Sequence, residues 1–260
     1  MRSVLCLHGF TGTPFEVEAL ARSLKVRGYA VSAPMLPGHG GPIDALAAVG
    51  PTEWLDAADD ELIRLVDASG ERVAVVGASM GALLALCLAR RRPDAIAALV
   101  LMAAPLRWRP IERLGVEVLD RMAKLLGLSS PTIPKTGGVD AVDPTIRETA
   151  PSLDGYPISA LQHLIALTDV AAHVVPSVTA PTLVVHGRQD RTVPLEVSEQ
   201  LASTLGSAVV ERLWVDDSGH LVAADNDRAA VAEAVSRFLD RHAQWTPARL
   251  DETALHSRLA

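Results

Sequence analysis

The sequence predicts an α/β protein, with a mostly parallel sheet of about six or seven strands flanked by helices and a helical insertion late in the chain. Three observations lead there. Short apolar runs alternate with longer segments of helical periodicity, the rhythm of strand–helix–strand units. Several runs are unbroken Val, Leu and Ala, such as "VAVV" at 73–76 and "AALVLM" at 97–102, as strands need when both faces of a sheet are covered. At Gly77-Ala78-Ser79-Met80-Gly81 a strand run passes into a helical one within a single turn.

Strands are expected at 4–7, 29–33, 73–76, 98–102, 182–186 and 209–215. Helices are expected at 15–25, 53–68 with Thr52 as N-cap, 80–91, 194–205 and 228–242. The rhythm breaks between Pro105 and Pro181, a stretch too long for one crossover. It offers a helix near 111–126, a Pro/Gly/Ser-rich middle and a second helix near 157–173. The chain therefore divides into a core of residues 1–105 and 177–245, a helical cap of residues 106–176, and a C-terminal tail of residues 246–260. Within the cap, Ile111, Leu114, Val118, Met122 and Leu125 form an apolar stripe expected to pack on the body and to line the acyl side of a pocket.

With 260 residues and 49% hydrophobic content the chain can bury a large single core. A net charge of −7 argues against a nucleic-acid-binding surface, and Arg90-Arg91-Arg92 reads as a solvated helix end. The two cysteines, Cys6 and Cys87, lie in apolar segments, and no CxxC, Cys/His cluster or HExxH occurs. No metal and no cofactor is expected, and two reduced thiols suit a cytoplasmic protein, monomeric or homodimeric. The apolar run at the N-terminus is too short for a signal peptide, and no run of 18 apolar residues predicts a membrane span.

A G-x-S-x-G pattern alone is weak, since about one chain in ten of this length holds it by chance. Its placement is the signal. A nucleophilic serine must stand on a tight strand-to-helix turn, with the helix N-terminus beside the charge that develops. A dinucleotide-binding turn is excluded, because it requires glycine where Ser79 and Ala82 stand and an acid about 20 residues on, where none occurs. A serine needs a base and an acid, in the chain order Ser, Asp or Glu, His. Asp190 follows the run 182–186 and His220 follows the run 209–215. Asp216 and Asp217 are rivals for the acid but adjoin His220. His163, His173, His186, His242 and His256 read as packing or surface residues. The glycine-rich turn "LHGFTG" at 7–12 can supply a backbone N–H from Phe10 to an oxyanion, beside the N–H of Met80; "PGHG" at 37–40 is either a wall of the site or a plain turn.

The segments "LHGFTGTP", "GYAVSAPMLPGHG", "EWLDAADDEL", "VVGASMGA", "APTLVVHGRQDRTVP" and "DDSGHLVAADNDRAAV" resemble those of the α/β-hydrolases, and within them the bacterial carboxylesterases and monoacylglycerol lipases. The resemblance implies an α/β-hydrolase fold, a triad of Ser79, Asp190 and His220, and oxyanion N–H groups at Phe10 and Met80. It implies a hydrolase acting on a small-molecule ester of short to medium acyl chain, such as a monoacylglycerol. Ala82 departs from the family's glycine, and the antiparallel strands that open many members are absent. A thioesterase, a carbon–carbon bond hydrolase or a perhydrolase would use the same triad, and a non-catalytic ligand-binding homologue is a more distant alternative.

Overall fold

Runs of Val, Leu and Ala at consecutive positions build strands whose side chains alternate between two covered faces. The protein is described here by a computed structural model covering residues 1–127 and 131–250. Six parallel strands, β1 (Ser3–Leu7), β2 (Ala30–Ser32), β3 (Val73–Ala78), β4 (Ile96–Met102), β7 (Thr182–Gly187) and β8 (Val210–Val215), form one sheet in the order β2-β1-β3-β4-β7-β8. Between β4 and β7 lies a separate antiparallel pair, β5 (Thr132–Pro134) and β6 (Gly155–Pro157).

Leu5, Leu7, Val75, Leu99 and Leu101 point to one face, where α3 (Pro51–Ser69), α4 (Met80–Arg91), α7 (Ile158–Val174) and α8 (Leu195–Thr204) pack. Val4, Cys6, Val76, Val100 and Met102 point to the other, beneath α1 (Phe15–Val26) and α9 (Arg228–His242). This two-sided burial is why the strands read as continuous apolar runs. The order reverses between β1 and β3, so the carboxyl ends of these two strands flank the crevice where α/β sheets bind their ligands. Cys6 and Cys87 are free and buried, and burial pushes both thiols up to about 12.

Several details depart from expectation. α3 begins at Pro51 with Gly50 as its N-cap rather than Thr52: proline suits the first helical position, and Glu53 accepts the Gly50 N–H at 3.1 Å. Arg92 is buried and not solvated, its guanidinium meeting the Asp59 carboxylate of α3 at 2.8 and 2.9 Å. Two short helices, α2 (Ile43–Ala47) and α6 (Pro144–Thr149), and the β5–β6 pair were not expected, because such short elements hold too few apolar repeats to show a period. α7 with the turn after it, Ile158–Ser177, is long and apolar enough to cross a membrane, but half of that window is buried and its Leu164, Leu167 and Ala171 belong to the core. Residues 246–248 dock on the body, Arg72 N–H donating to Thr246 O and Ala248 N–H to Gly70 O. The rest of the expected tail, from residue 251, and residues 128–130 of the insertion lie outside the described residues.

The largest departure is α5 (Pro110–Leu125), whose apolar stripe faces outward. Ile111 is 73% exposed, Leu125 86% and Met122 54%. The adjoining arc docks instead. Val116 meets Ile158, Leu161 and Ile165 of α7, and Arg113 pairs with Asp169 at 2.8 Å. The stripe therefore contributes neither packing on the body nor a pocket wall. Met122→Lys should shift unfolding free energy by no more than about 0.5 kcal/mol and leave the acyl-chain preference unchanged, as thermal melts and an ester panel will show.

Candidate active site

β3 ends in a turn that only small residues can make. Ser79 stands at φ 52° and ψ −116°, with its N–H donating to Met102 O at 2.9 Å. A non-glycine residue there carries strain of about 1–3 kcal/mol, held in place by its surroundings. A Cβ on Gly77 would lie 2.2 Å from Gly81 O, and one on Gly81 would lie 2.3 Å from Leu7 O. The two glycines thus let α4 turn back against β3 and press on the end of β1, and Ala82 is accommodated in full burial. Ser79 is left at the N-terminus of α4, above the sheet.

The loops after β7 and β8 bring the other two residues to it. His220 Nε2 lies 2.9 Å from Ser79 Oγ, and His220 Nδ1 lies 2.8 Å from Asp190 Oδ2. The Asp190 side chain is fully buried, and its Oδ1 accepts the N–H groups of Thr192 and Val193, both at 2.8 Å. Burial of the His220 ring disfavours its protonation, but the charge and hydrogen bond of Asp190 outweigh this, so the imidazole titrates above its ordinary 6.5. Burial likewise opposes ionisation of Asp190, and the attraction and hydrogen bond of His220, with the Val193 N–H, pull the carboxyl below its ordinary value.

The turn after β1 is held beside Ser79. His8 is buried and kept neutral, burial lowering its pKa to about 4; its Nδ1 donates to Gly9 O at 2.9 Å and its Nε2 accepts the Leu36 N–H at 3.1 Å. Gly9 N–H donates to the half-buried Glu16 carboxyl at 2.7 Å. Among the described residues the N–H groups of Phe10 and Met80 make no backbone hydrogen bond; Phe10 lies in the turn after β1 and Met80 is the first residue of α4, next to Ser79.

The rival acids point elsewhere. Asp216 pairs with Arg188 at 2.9 Å, and Asp217 accepts from Asn226 at 3.1 Å. His163 contacts Val49 O and His242 contacts Glu211, both away from Ser79, while His256 lies outside the described residues. His39 of "PGHG" is buried edge-on to His8 and Phe10. His186 is buried beneath the acid, bonded to Ser198 Oγ at 2.8 Å and Val193 O at 3.0 Å, with Asp190 Oδ2 3.4 Å away. It packs as its place at the end of a strand suggests, and it also supports the Asp190 loop through partners beyond its own strand.

Two more acids escaped notice. Asp225, fully buried, accepts N–H groups from Gly219, Val142, Asp143 and Asn226 at 2.8–3.0 Å, tying the insertion to the His220 loop. Asp140 accepts from Arg191 N–H and Thr192 Oγ1, both at 2.8 Å, tying it to the Asp190 loop. Neither has a local sequence pattern, because their partners are distant backbone amides.

A cavity of about 710 Å³ opens over Ser79 and His220. Phe10, Trp108, Leu161, Leu164 and Val193 form apolar wall, while Glu16, Lys135, Asp140 and Arg191 reach the remainder. The charged lining comes from both parts of the chain, Lys135 and Asp140 from the segment before α6, Glu16 from α1 and Arg191 from the loop after β7.

A parallel sheet carrying a strained serine, a carboxylate and an imidazole on loops at the carboxyl ends of β3, β7 and β8 is the arrangement of the α/β-hydrolases. The family model described as serine aminopeptidase, S33, matches residues 1–227. A carboxylesterase of Bacillus subtilis (strain 168) is 30% identical over 92% of this chain and 93% of its own length. A thermostable monoacylglycerol lipase of Bacillus sp. (strain H-257) is 26% identical over 92% and 91%. Among solved structures, one from work on LipS and LipT, two metagenome-derived lipolytic enzymes, superposes with a TM-score of 0.81 at 28% identity, covering 92% of this chain and 94% of that one. The chain belongs to the α/β-hydrolase family that includes the bacterial carboxylesterases and monoacylglycerol lipases.

Asp225→Asn exchanges one acceptor oxygen for a donor and faces it toward N–H groups. Each buried donor left without a partner costs about 1–3 kcal/mol, so denaturant unfolding should show a loss in that range or above, with a parallel loss of activity. Unchanged stability would place the four amides in contact with water.

Proposed function

We propose that this carboxylic ester hydrolase cleaves small esters of short to medium acyl chain, monoacylglycerols among them, through an acyl-enzyme on Ser79. The observation that carries the reading is the single imidazole of His220, within hydrogen-bond reach of both Ser79 Oγ and a buried carboxylate. His220 Nε2 takes the hydroxyl proton as Ser79 attacks the acyl carbonyl and returns it to the leaving alcohol. A water then enters by the same route in reverse. Asp190 holds Nδ1–H and stabilises the imidazolium. Phe10 and Met80 N–H groups receive the oxyanion, each worth roughly 10²–10³ in rate. The acyl chain is assigned to the wall of Trp108, Leu161 and Leu164, and the alcohol to the polar part of the cavity. In this reading residues 106–176 serve as the cap over the site. Two buried free thiols agree with a cytoplasmic setting.

A fluorophosphonate should label Ser79 alone, and Ser79→Ala should abolish turnover of p-nitrophenyl esters while leaving the melting temperature within a few degrees. In a panel running from acetate to palmitate, with acyl-CoA thioesters and aminoacyl p-nitroanilides alongside, the short and medium esters should lead. Faster cleavage of the thioesters or anilides would overturn the substrate assignment.

Catalysis requires neutral His220, so kcat/KM should rise with pH through a midpoint above 6.5. Asp190→Asn should lower kcat by about 10⁴ and move that midpoint down, since burial then acts on the imidazole unopposed. The stability carried by the raised pKa is complete below the unfolded value of 6.5 and is lost as pH rises through the folded value. Activity and this part of the stability therefore change in opposite directions across the same window.

A further inference from the structure

The turn after β1 holds a shape that its sequence disfavours. Gly12 N–H donates to Gly9 O at 3.3 Å, closing four residues, and the third of them, Thr11, stands at φ 63°. That position of a type II turn belongs to glycine or asparagine, and a β-branched residue there is an outlier that persists only when its neighbours enforce it. Thr11 is buried, and the groups that enforce it come from the insertion. Leu153 N–H donates to Thr11 O at 2.9 Å, Ser152 Oγ to the same oxygen at 3.4 Å, and Lys135 Nζ to Thr11 Oγ1 at 2.6 Å.

Lys135 also bonds Ser152 Oγ and lies 5.1 Å from the centre of the Tyr156 ring, which stacks on Phe10. Its hydrogen-bond partners are two hydroxyls and not a carboxylate, an unusual use of a half-buried cation on the wall of a catalytic cavity. A charge-assisted bond is stronger than a neutral one, which suits a group that must oppose backbone strain. Glu16 fixes the preceding Gly9 N–H from the core side, so the Phe10 peptide is gripped between the body and the insertion.

We propose that Lys135 is a positioning residue for the oxyanion hole, its ammonium clamping the Thr11 hydroxyl so that the turn keeps its positive φ and aims the Phe10 N–H at the acyl oxygen. This rests on the reading of Phe10 N–H as an oxyanion donor. Lys135 does not touch the reacting atoms. It acts through Thr11, and the insertion thereby completes the site as well as covering it.

Lys135→Met keeps the stem and removes the ammonium. With p-nitrophenyl butyrate it should lower kcat by about 10- to 100-fold, less than or comparable to loss of a whole donor, with KM within about 3-fold. Lys135→Arg, still a cationic donor, should recover part of kcat. Inhibition by a trifluoromethyl ketone, which forms a tetrahedral oxyanion on the serine, should weaken in parallel with kcat. The deciding measurement repeats Lys135→Met in a Thr11→Gly background. Glycine adopts φ 63° unaided, so there the lysine substitution should change kcat by less than about 3-fold. An equal loss in both backgrounds, an effect on KM alone, or no effect at all overturns the proposal. Melting temperatures guard against misfolding, and Lys135→Gln serves if the methionine variant is unstable. Phe10→Pro removes the N–H at the second position of the turn, where type II turns commonly hold proline, with Phe10→Leu as control for the ring. If these two retain equal kcat, the oxyanion assignment itself fails. If Phe10→Pro alone is crippled while Lys135→Met is silent, only the role of Lys135 fails.

Discussion

Ser79 occupies a backbone conformation that the chain would leave if it were free to do so. Everything near it acts to prevent that. Met102 O holds its N–H, Gly77 and Gly81 permit an approach that any Cβ would block, and α4 is anchored along its length among Leu83, Leu84, Leu86 and Leu88 in the core. The strain is small beside the apolar burial of that helix, so the turn is held rather than balanced. The serine hydroxyl stands clear of the sheet for this reason, and the loops of Asp190 and His220 need only reach the one place where it stands.

The insertion is joined to this arrangement at three points. Asp140 meets the Asp190 loop, Asp225 of the core holds Val142 and Asp143 beside the His220 loop, and Lys135 with Ser152 and Leu153 meets Thr11. These links are directional hydrogen bonds, most of them from a carboxylate or an ammonium to backbone or hydroxyl groups, with a backbone bond from Leu153 to Thr11 beside them. Residues 135–153 are thus held by polar contacts, whereas α5 rests on α7 by a narrow apolar arc and the Arg113–Asp169 pair.

Much of the fold and of the side-chain cluster was legible in the sequence because the clustered residues sit where strands end. Ser79, Asp190 and His220 each lie just past an apolar run, and the structure brings the three side chains within hydrogen-bond distance, His220 between the other two, as chain order suggested. The faces of the sheet were legible for the same reason. What escaped were residues whose meaning depends on partners far along the chain. Asp225 looks like one acid among several in "AADNDRA", His186 like the end of a strand, and Lys135 like one charge in a loop. The face of α5 was misread because an apolar stripe was assumed to seek the core. The neighbouring arc, with Val116, Ala123 and a salt bridge to α7, is the one that docks.

Cys6 and Cys87 give the molecule a built-in recorder of its own opening. One sits near the end of β1, the strand that leads into the turn of Phe10, and the other in α4, the helix that Ser79 caps. With both thiols buried and their pKa pushed to about 12, a maleimide cannot reach or activate them while the fold is closed. Alkylation under native conditions therefore proceeds only through excursions that expose one element or the other. The two labelling rates, taken separately by mass spectrometry, report whether the strand and the helix come apart together or one before the other.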